Sequence, residues 1–451
     1  MTSTDVRAHP PRADSGRQGQ GWHPDLVLRT VFAGAALVGL LPLWNVLRSP
    51  LPFQLPVLVA HSAGMLAGYG VVVLVGLMSR TPQLERGVGA DRLARWHSAG
   101  GRSVVTLVLL HAWAATVAWA HARRLSTWSA AWDVLQMPYL VAATLGTLLF
   151  LAVAVLSVRA ARKRVSYETW HAVHLLVYVA VALSFVHQLG GPDLVGHRVL
   201  QVLWSLLYTG VFWLVVEHRV VTPLRNAGRH RMRVASVQVE GPGTVSIVVE
   251  GHDLDELCAE SGQFFRWRFL TPELWYTAHP FSLSAPPSRT HLRLTVKTLG
   301  DGSGRLQDLE PGTWVVAEGP YGAMTAARRT RADVLLVAGG VGITPMRALF
   351  ESMPLAPGQD LLLLCFARTE QDLLFKDELD LLAACSGGRV QYLVGDAHGP
   401  LSADLLQRFV PGLEDRDVYF CGPPGMGTAL RAALQRAGVP ASQLHEERFA
   451  S

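Results

Sequence analysis

The sequence predicts a membrane α-helical bundle of six spans, followed by an antiparallel β-barrel and then an α/β doubly wound domain. Three observations predict it. Half of the 451 residues are hydrophobic and only 17% are charged, with a mean hydropathy of +0.25, which is too apolar for an ordinary soluble protein. The apolar residues crowd into six runs before about residue 222, each long enough to cross a bilayer at roughly 20 residues. After residue 228 the pattern changes to short β-rich runs and then to strands alternating with helices.

The first 24 residues are polar and rich in Pro, Gly and Arg, and read as a disordered cytoplasmic tail. The expected spans are 26–47, 57–79, 98–120, 137–158, 168–189 and 198–221, within a membrane domain of 25–222. Loop 80–96 holds Arg80, Arg86, Arg92 and Arg95, and loop 159–168 holds Arg159, Arg162, Lys163 and Arg164. The opposite loops carry fewer cations, so the positive-inside rule places both termini and the second half in the cytoplasm, below a plasma membrane crossed several times. The net charge of +5 reflects these membrane-flanking clusters. Without an aromatic-plus-basic stripe it does not point to nucleic acid. Cys258, Cys365, Cys385 and Cys421 form no CxxC pair, which fits reduced cytoplasmic thiols rather than a disulfide framework or zinc site.

"RMRVASVQVE", "TVSIVVEG", "GQFFRWRFL" and "LRLTVKTLG" are short strand patterns punctuated by Gly and Pro, and predict the barrel over 228–328. From 331 to 451, "ADVLLVAGGVGITPMRALFESM", "DLLLLCFART" and "DVYFCGPPGMGTALRAALQRAG" each begin with a continuous apolar strand, as a buried parallel sheet requires.

Histidines in the apolar spans are the strongest chemical signal, because an ionisable side chain in hydrocarbon is costly. His97 and His111 lie fourteen residues apart on the third span, within about 40° of one face and about 21 Å apart along the axis. His174 and His187, thirteen apart on the fifth span, are separated by about 20 Å. The matched rises suggest two layers, His97 facing His174 and His111 facing His187. Two opposed imidazoles suit the axial positions of haem iron, and six-coordinate iron suits electron transfer. His171 is a rival to His174, with a rise to His187 of about 24 Å. Thirteen residues of ideal helix also turn His187 about 140° from His174, so bending, or an approach from another side, is required.

This spacing, with "WHAVHLLVY" in the fifth span, resembles the ferric reductase-like transmembrane domain shared by NADPH oxidases and metalloreductases. The resemblance implies that His97, His111, His174 and His187 ligate two stacked b haems. "HPFSLSAPP" at 279–287 sits where a strand ends; Pro280 and Phe281 fix its backbone, and Ser282 offers a hydroxyl to a flavin edge. It is similar to the flavin motif of the ferredoxin reductase-like oxidases, which implies FAD bound at His279, Pro280, Phe281 and Ser282. "VKTLGDGSGRL" has the spacing of that family's phosphate-contacting segment, which implicates Lys297, Gly302 and Ser303.

"VAGGVGITPM" comes after a strand and opens a helix, where a glycine turn and a helix N-terminus favour an anion. Together with "CGPPGM" it resembles the family's nicotinamide nucleotide site. This implies that Gly339, Gly340, Gly342, Thr344 and Pro345 line that site, with Cys421, Gly422 and Pro423 near the nicotinamide. Arg368 suits a 2′-phosphate, which favours NADPH over NADH. Phe449 resembles the near-terminal aromatic that shields the flavin, so Cys421 and Phe449 are the residues expected at the reacting centre.

The expected activity is transmembrane electron transfer from cytoplasmic NADPH through FAD and two haems to an outside acceptor. Dioxygen, giving superoxide, is favoured over a ferric chelate. Animal-type oxidases resemble one another in a further His one turn beyond the outer third-span ligand; Ala115 stands there in this chain. Arg48 and His61 are candidate substitutes near the outer face. Two other readings are an electron-donating module for a partner protein, which the short outer loops disfavour, and a haem-free membrane anchor for a reductase.

Overall fold

The computed structural model describes residues 21–48, 52–158, 165, 167–298, 304–395 and 401–447. The expected tail up to residue 20, Gly302, Ser303 and Phe449 lie outside the described residues. The first half is helical: α1 (Pro24–Arg48), α2 (Leu55–Leu77), α3 (Pro82–Val88), α4 (Ala90–Arg123), α5 (Thr127–Leu135), α6 (Pro138–Ser157), α7 (Tyr167–Leu175), α8 (Val177–Leu189) and α9 (Arg198–Val216). Six stretches are long and apolar enough to cross a membrane: 24–48, 55–77, 92–123, 140–157, 169–189 and 198–230. Large apolar side chains face outward along them, among them Phe32, Leu37 and Val199, each about 70% exposed. That is the pattern of a bundle whose solvent is lipid.

The last span runs further than expected. After α9 the helix widens to a π-type turn over Glu217–Val221 and continues as α10 (Thr222–His230). Pro223 lacks the N–H that an α-helix would use, and the wide turn just before it takes up the missing bond. Helix α2 lies innermost and packs against α4 where small residues meet. A Cβ on Gly70 would come 2.6 Å from Val104 Cγ2, so the close approach requires glycine there.

The second half opens with six strands: β1 (Arg233–Gly241), β2 (Thr244–Glu250), β3 (Phe264–Phe269), β4 (His279–Ser282), β5 (His291–Lys297) and β6 (Val315–Tyr321). They form two three-stranded antiparallel sheets, β1-β2-β5 and β4-β3-β6. The expected barrel is therefore not one continuous ladder: single bridges, Arg233–Trp314 and Leu283–Leu294, link the sheets at their two seams. Alternation on β3 explains the core. Phe265, Trp267 and Phe269 are fully buried, whereas Arg266 and Arg268 point away from the core and pair with Glu318. Each buried aromatic contributes about 1.5–3 kcal/mol.

The last part is α/β: β7 (Asp333–Gly339), α11 (Ile343–Ser352), β8 (Leu361–Ala367), α12 (Lys376–Ser386), β9 (Arg389–Val394), α13 (Ala403–Phe409), β10 (Arg416–Cys421), α14 (Pro424–Arg436) and β11 (Leu444–Glu447). All five strands are parallel, in the order β11-β10-β7-β8-β9. Val334, Leu336 and Ala338 face α11 and α12 on one side, and Leu335 and Val337 face α13 and α14 on the other. Burial on both faces accounts for the unbroken apolar runs in the sequence.

Candidate functional site

In the membrane half the four expected histidines meet in pairs. The His97 and His174 ring centroids are 6.0 Å apart, and those of His111 and His187 are 5.9 Å apart. Hydrogen bonds hold two of the rings from behind: His97 Nδ1 lies 3.2 Å from the Leu74 carbonyl and His111 Nδ1 2.8 Å from the Ala60 carbonyl. A backbone carbonyl at Nδ1 fixes the tautomer with the proton on that nitrogen and leaves Nε2 as the free acceptor. His174 stacks on Trp170 at 5.2 Å, and Ser157 Oγ bridges the two, 3.5 Å from His174 Nδ1 and 3.3 Å from Trp170 Nε1. His171 is set aside from these layers; its ring neighbour is Trp170, at 6.4 Å.

The fifth span is interrupted by a break. Helix α7 stops at Leu175 and α8 starts at Val177; between them the Leu176 N–H bonds the Val173 carbonyl, three residues back rather than four. That tight turn adds only about 20° per residue to the winding, so the pairing of His174 with His97 and of His187 with His111 also draws on how the rings approach from different sides. The His97 layer is the one nearer the reductase half. Leu74 lies one turn before Met78, whose carbonyl accepts two bonds from Arg219, and Arg80 next door stacks on Tyr321 of β6 at 5.0 Å. Burial and the neighbouring Glu318 push the Tyr321 hydroxyl up to about 12 against the opposing pull of Arg80.

Near the membrane surface opposite that junction, His61 Nδ1 lies 3.3 Å from Asp193, which also accepts from Asn45 at 3.1 Å. Arg48 lies instead over the Trp44 ring at 3.9 Å, so the structure does not join it to His61.

In the reductase half, His279 and Phe281 project from one face of β4 with their rings parallel, 6.0 Å apart. Trp267 Nε1–H donates to the Phe281 carbonyl at 3.0 Å, Pro280 stands opposite Arg266, and buried Ser282 stands opposite Phe264. Lys297, at the end of β5, pairs with Asp372 at 3.5 Å.

The two glycine stretches come face to face. The sheet order reverses at β7, which has β8 on one side and β10 on the other, and ligand crevices open at such a switch point beyond the strand carboxyl ends. Gly339 ends β7 and Gly340, at φ +56°, turns the chain into α11. A Cβ on Gly339 would lie 2.6 Å from Met426 Sδ and 2.9 Å from Pro423, and one on Gly342 would overlap the Cys421 carbonyl. Gly422 packs back on the Gly339 amide, 3.2 Å from where a Cβ would sit. Thr344 Oγ1 donates to the Val341 carbonyl at 3.0 Å and, with Pro345, is buried in the first turn of α11. Two helix N-termini thus converge on one crevice, an arrangement that favours an anion. Cys421 is fully buried beside Ala338, and burial pushes its thiol well above the usual range. Arg368, just past β8, is exposed.

Several side chains that complete these sites escape a search for motifs. Ser157 is the one polar residue in the second half of α6, and that polarity in an apolar span was its only signal. Gly64 faces His111, and Arg293, Arg347 and Glu378 link the two reductase domains. Nothing local in the sequence marks the last three.

A multi-span bundle carrying paired imidazoles, joined to a strand domain and a doubly wound domain with a glycine-lined crevice, defines a membrane-bound oxidoreductase. Comparison with known proteins gives the family. Residues 63–185 match the ferric reductase-like transmembrane component and residues 336–432 the oxidoreductase NAD-binding domain. Ferredoxin–NADP reductase B of Sorangium cellulosum is 33% identical over 184 residues, 37% of this chain and 75% of that protein. The ferredoxin reductase component of the 3-ketosteroid-9-alpha-monooxygenase of Mycobacterium tuberculosis is 34% identical over 196 residues, 42% of this chain; the chain spans 54% of that relative's length. The solved FAD/NAD-binding domain of a Vibrio cholerae nitric oxide dioxygenase aligns with 24% identity and a TM-score of 0.40, over 49% of this chain and 98% of that one.

The chain joins a ferric reductase-like transmembrane component to a reductase half that belongs with the ferredoxin reductase-type FAD- and NAD-binding proteins. It is a multi-pass membrane oxidoreductase.

Proposed function

We propose that the protein carries electrons from cytoplasmic NADPH, through FAD and two b haems, to dioxygen on the far side of the membrane, producing superoxide. The observation that carries the haem assignment is the pair of ring separations. Imidazole nitrogens bond a metal at about 2 Å, so two rings on opposite sides of one ion hold their centroids on the order of 6 Å apart. The separations of 6.0 and 5.9 Å fit that span. Each layer would supply two nitrogens, and the carbonyls of Leu74 and Ala60 hold Nδ1 of His97 and His111 so that their Nε2 atoms remain available. His97 with His174, and His111 with His187, would each hold one haem iron when it is bound.

When bound, FAD accepts a two-electron hydride and each haem carries one electron at a time, so one NADPH yields two superoxide. The rest is positioning by the chain. His279, Pro280, Phe281 and Ser282, with Lys297, would hold the flavin nucleotide when it is bound, and the resemblance assigns Gly302, Ser303 and Phe449, outside the described residues, to the same site. Gly339, Gly340, Gly342, Thr344 and Pro345 seat the nicotinamide nucleotide pyrophosphate at the start of α11. Gly422 and Pro423 let the nicotinamide approach, and Cys421 backs it as a neutral thiol. Arg368 faces solvent where it can pair with a 2′-phosphate. The cation-rich loops put the termini and the reductase half in the cytoplasm, so His97 and His174 form the inner layer and His111 and His187 the outer. No protein partner is needed for this path.

The test is NADPH oxidation by the detergent-purified protein, in air and then anaerobically with ferric citrate. Turnover in air, with superoxide dismutase-sensitive reduction of cytochrome c, is the expected result. Turnover only with ferric citrate makes the enzyme a ferric-chelate reductase, and turnover only on adding a membrane partner makes it a donor module. A reduced spectrum without a b-type band removes the haems from the scheme. Arg368→Ala is expected to raise the KM for NADPH and leave that for NADH unchanged.

A further inference from the structure

A charged cluster outside every cofactor motif joins the two reductase domains. Glu378, in the first turn of α12, accepts two hydrogen bonds from Arg293 of β5, at 2.9 and 3.0 Å, and one from Arg347 Nε of α11 at 2.7 Å. The same two guanidinium groups converge on one carbonyl, that of Ser284, Arg293 Nη2 at 2.9 Å and Arg347 Nη1 at 3.1 Å. Ser284 lies two residues past Ser282 in the flavin motif, and Arg347 lies on the helix that opens at the nucleotide glycine turn. The cluster thus ties the end of the flavin strand, the strand β5 and the nucleotide helix to a single carboxylate.

Its electrostatics make that carboxylate the keystone. The Arg347 and Arg293 side chains are only 9% and 14% exposed, so their mutual repulsion is weakly screened. Glu351 neutralises part of Arg347, at 2.6 Å, but Arg293 has Glu378 as its ion-pair partner. Without the Glu378 charge, two buried cations would press against one carbonyl from two domains. Separation of α11 from β5 would be their relief.

We propose that Glu378 is a positioning residue for hydride transfer: it clamps Arg293 of the flavin-binding sheets to Arg347 of the nucleotide helix and so sets the distance between nicotinamide and flavin. This rests on the assignment of the glycine crevice to the nicotinamide nucleotide. Hydride transfer needs reacting atoms about 3–3.5 Å apart, and a shift of about 1 Å costs on the order of 100-fold in rate. Glu378 touches neither the motif glycines nor the histidines. Its loss is therefore expected in the rate at saturation and not in nucleotide affinity.

The experiment uses full-length Glu378→Gln in detergent, with flavin reduction by saturating NADPH followed anaerobically by stopped flow. FAD content and the Kd for NADP+ are measured on the same sample. The expected result is a rate lowered on the order of 10- to 100-fold, with FAD content unchanged and Kd within about threefold of the wild type. Glu378→Asp is expected to recover part of the rate. An unchanged rate at saturation overturns the proposal, as does a loss carried wholly by Kd. If Glu378→Gln does not retain FAD, Glu378→Asp and Arg293→Lys decide: slower reduction with FAD retained supports the clamp, and wild-type rates in both overturn it. A wild-type flavin that NADPH does not reduce overturns the nucleotide assignment instead.

Discussion

Gly64 sits where helix α2 passes closest to the outer imidazole. A Cβ there would come 2.7 Å from His111 Nδ1, the atom that bonds the Ala60 carbonyl. Gly64→Ala must therefore push the ring off its anchor or part α2 from α4, at a cost of about 1–3 kcal/mol. The expected outcome is loss or displacement of one of two b-type redox transitions in a potentiometric titration. Gly101→Ala is the control, because a Cβ at that position on α4 meets nothing within 4 Å. Cysteine chemistry at this scale is equally definite. Cys365 and Cys421 are buried, with burial raising the Cys365 thiol to about 12, whereas Cys258 and Cys385 are exposed. Iodoacetamide under mildly alkaline conditions is expected to modify Cys258 and Cys385 in the folded protein and to spare the other two. Labelling of Cys421 at the same rate would contradict its packed position beside β7.

At the scale of elements, the break at Leu176 separates the helix of His174 from the helix of His187. Imidazole depth was legible in the sequence, because rise depends only on the residue count along a helix. Phase was not, because it depends on local winding, and nothing in "HLLVYV" is a helix breaker. The tight Leu176-to-Val173 bond changes the winding there. Deleting Leu176 removes one residue of rotation, about 100°, and turns His187 away from His111 while leaving His174 in place. The expected product keeps the His97–His174 haem and loses the other, so its reduced b-type absorbance falls by roughly half. Retention of both haems would show that α8 rewinds freely. The strands show the complementary case. Unbroken apolar runs announced β7, β8 and β10, and alternation announced β3, because burial on two faces or one leaves its mark residue by residue. The seams between the two antiparallel sheets left no such mark, since single bridges at Trp314 and Leu283 impose no pattern on sequence.

At the scale of the whole molecule, the proposed path takes electrons from the reductase half into the bundle, across a junction where α10 and α3 pack against β6 and a few arginine contacts reach over. Arg80 pairs with Glu85 at 2.8 Å and stacks on Tyr321, and Arg328 donates to the carbonyls of Arg86 and, at 3.1 Å, Gly87. The residues joined by Arg328 are 241 and 242 positions apart, which is why no motif reveals them: long-range pairing is set by topology and not by local pattern. Arg328 belongs to the segment just ahead of β7, far along the chain from the FAD motif, and touches the membrane half through backbone acceptors. Its truncation therefore loosens docking without altering a cofactor motif. Removing two charge-assisted bonds of this kind costs about 1.5–3 kcal/mol each at most, reduced here by partial exposure. Arg328→Ala is expected to leave NADPH-driven reduction of ferricyanide, which takes electrons from the flavin, at the wild-type rate. Flavin-to-haem transfer, followed as the rise of the reduced b-type band after mixing with NADPH, is expected to slow several-fold. Slowing of both steps together would place Arg328 in the folding of the reductase half, and slowing of neither would show that the packing of α10 on β6, with Arg80 and Tyr321, holds the junction without it.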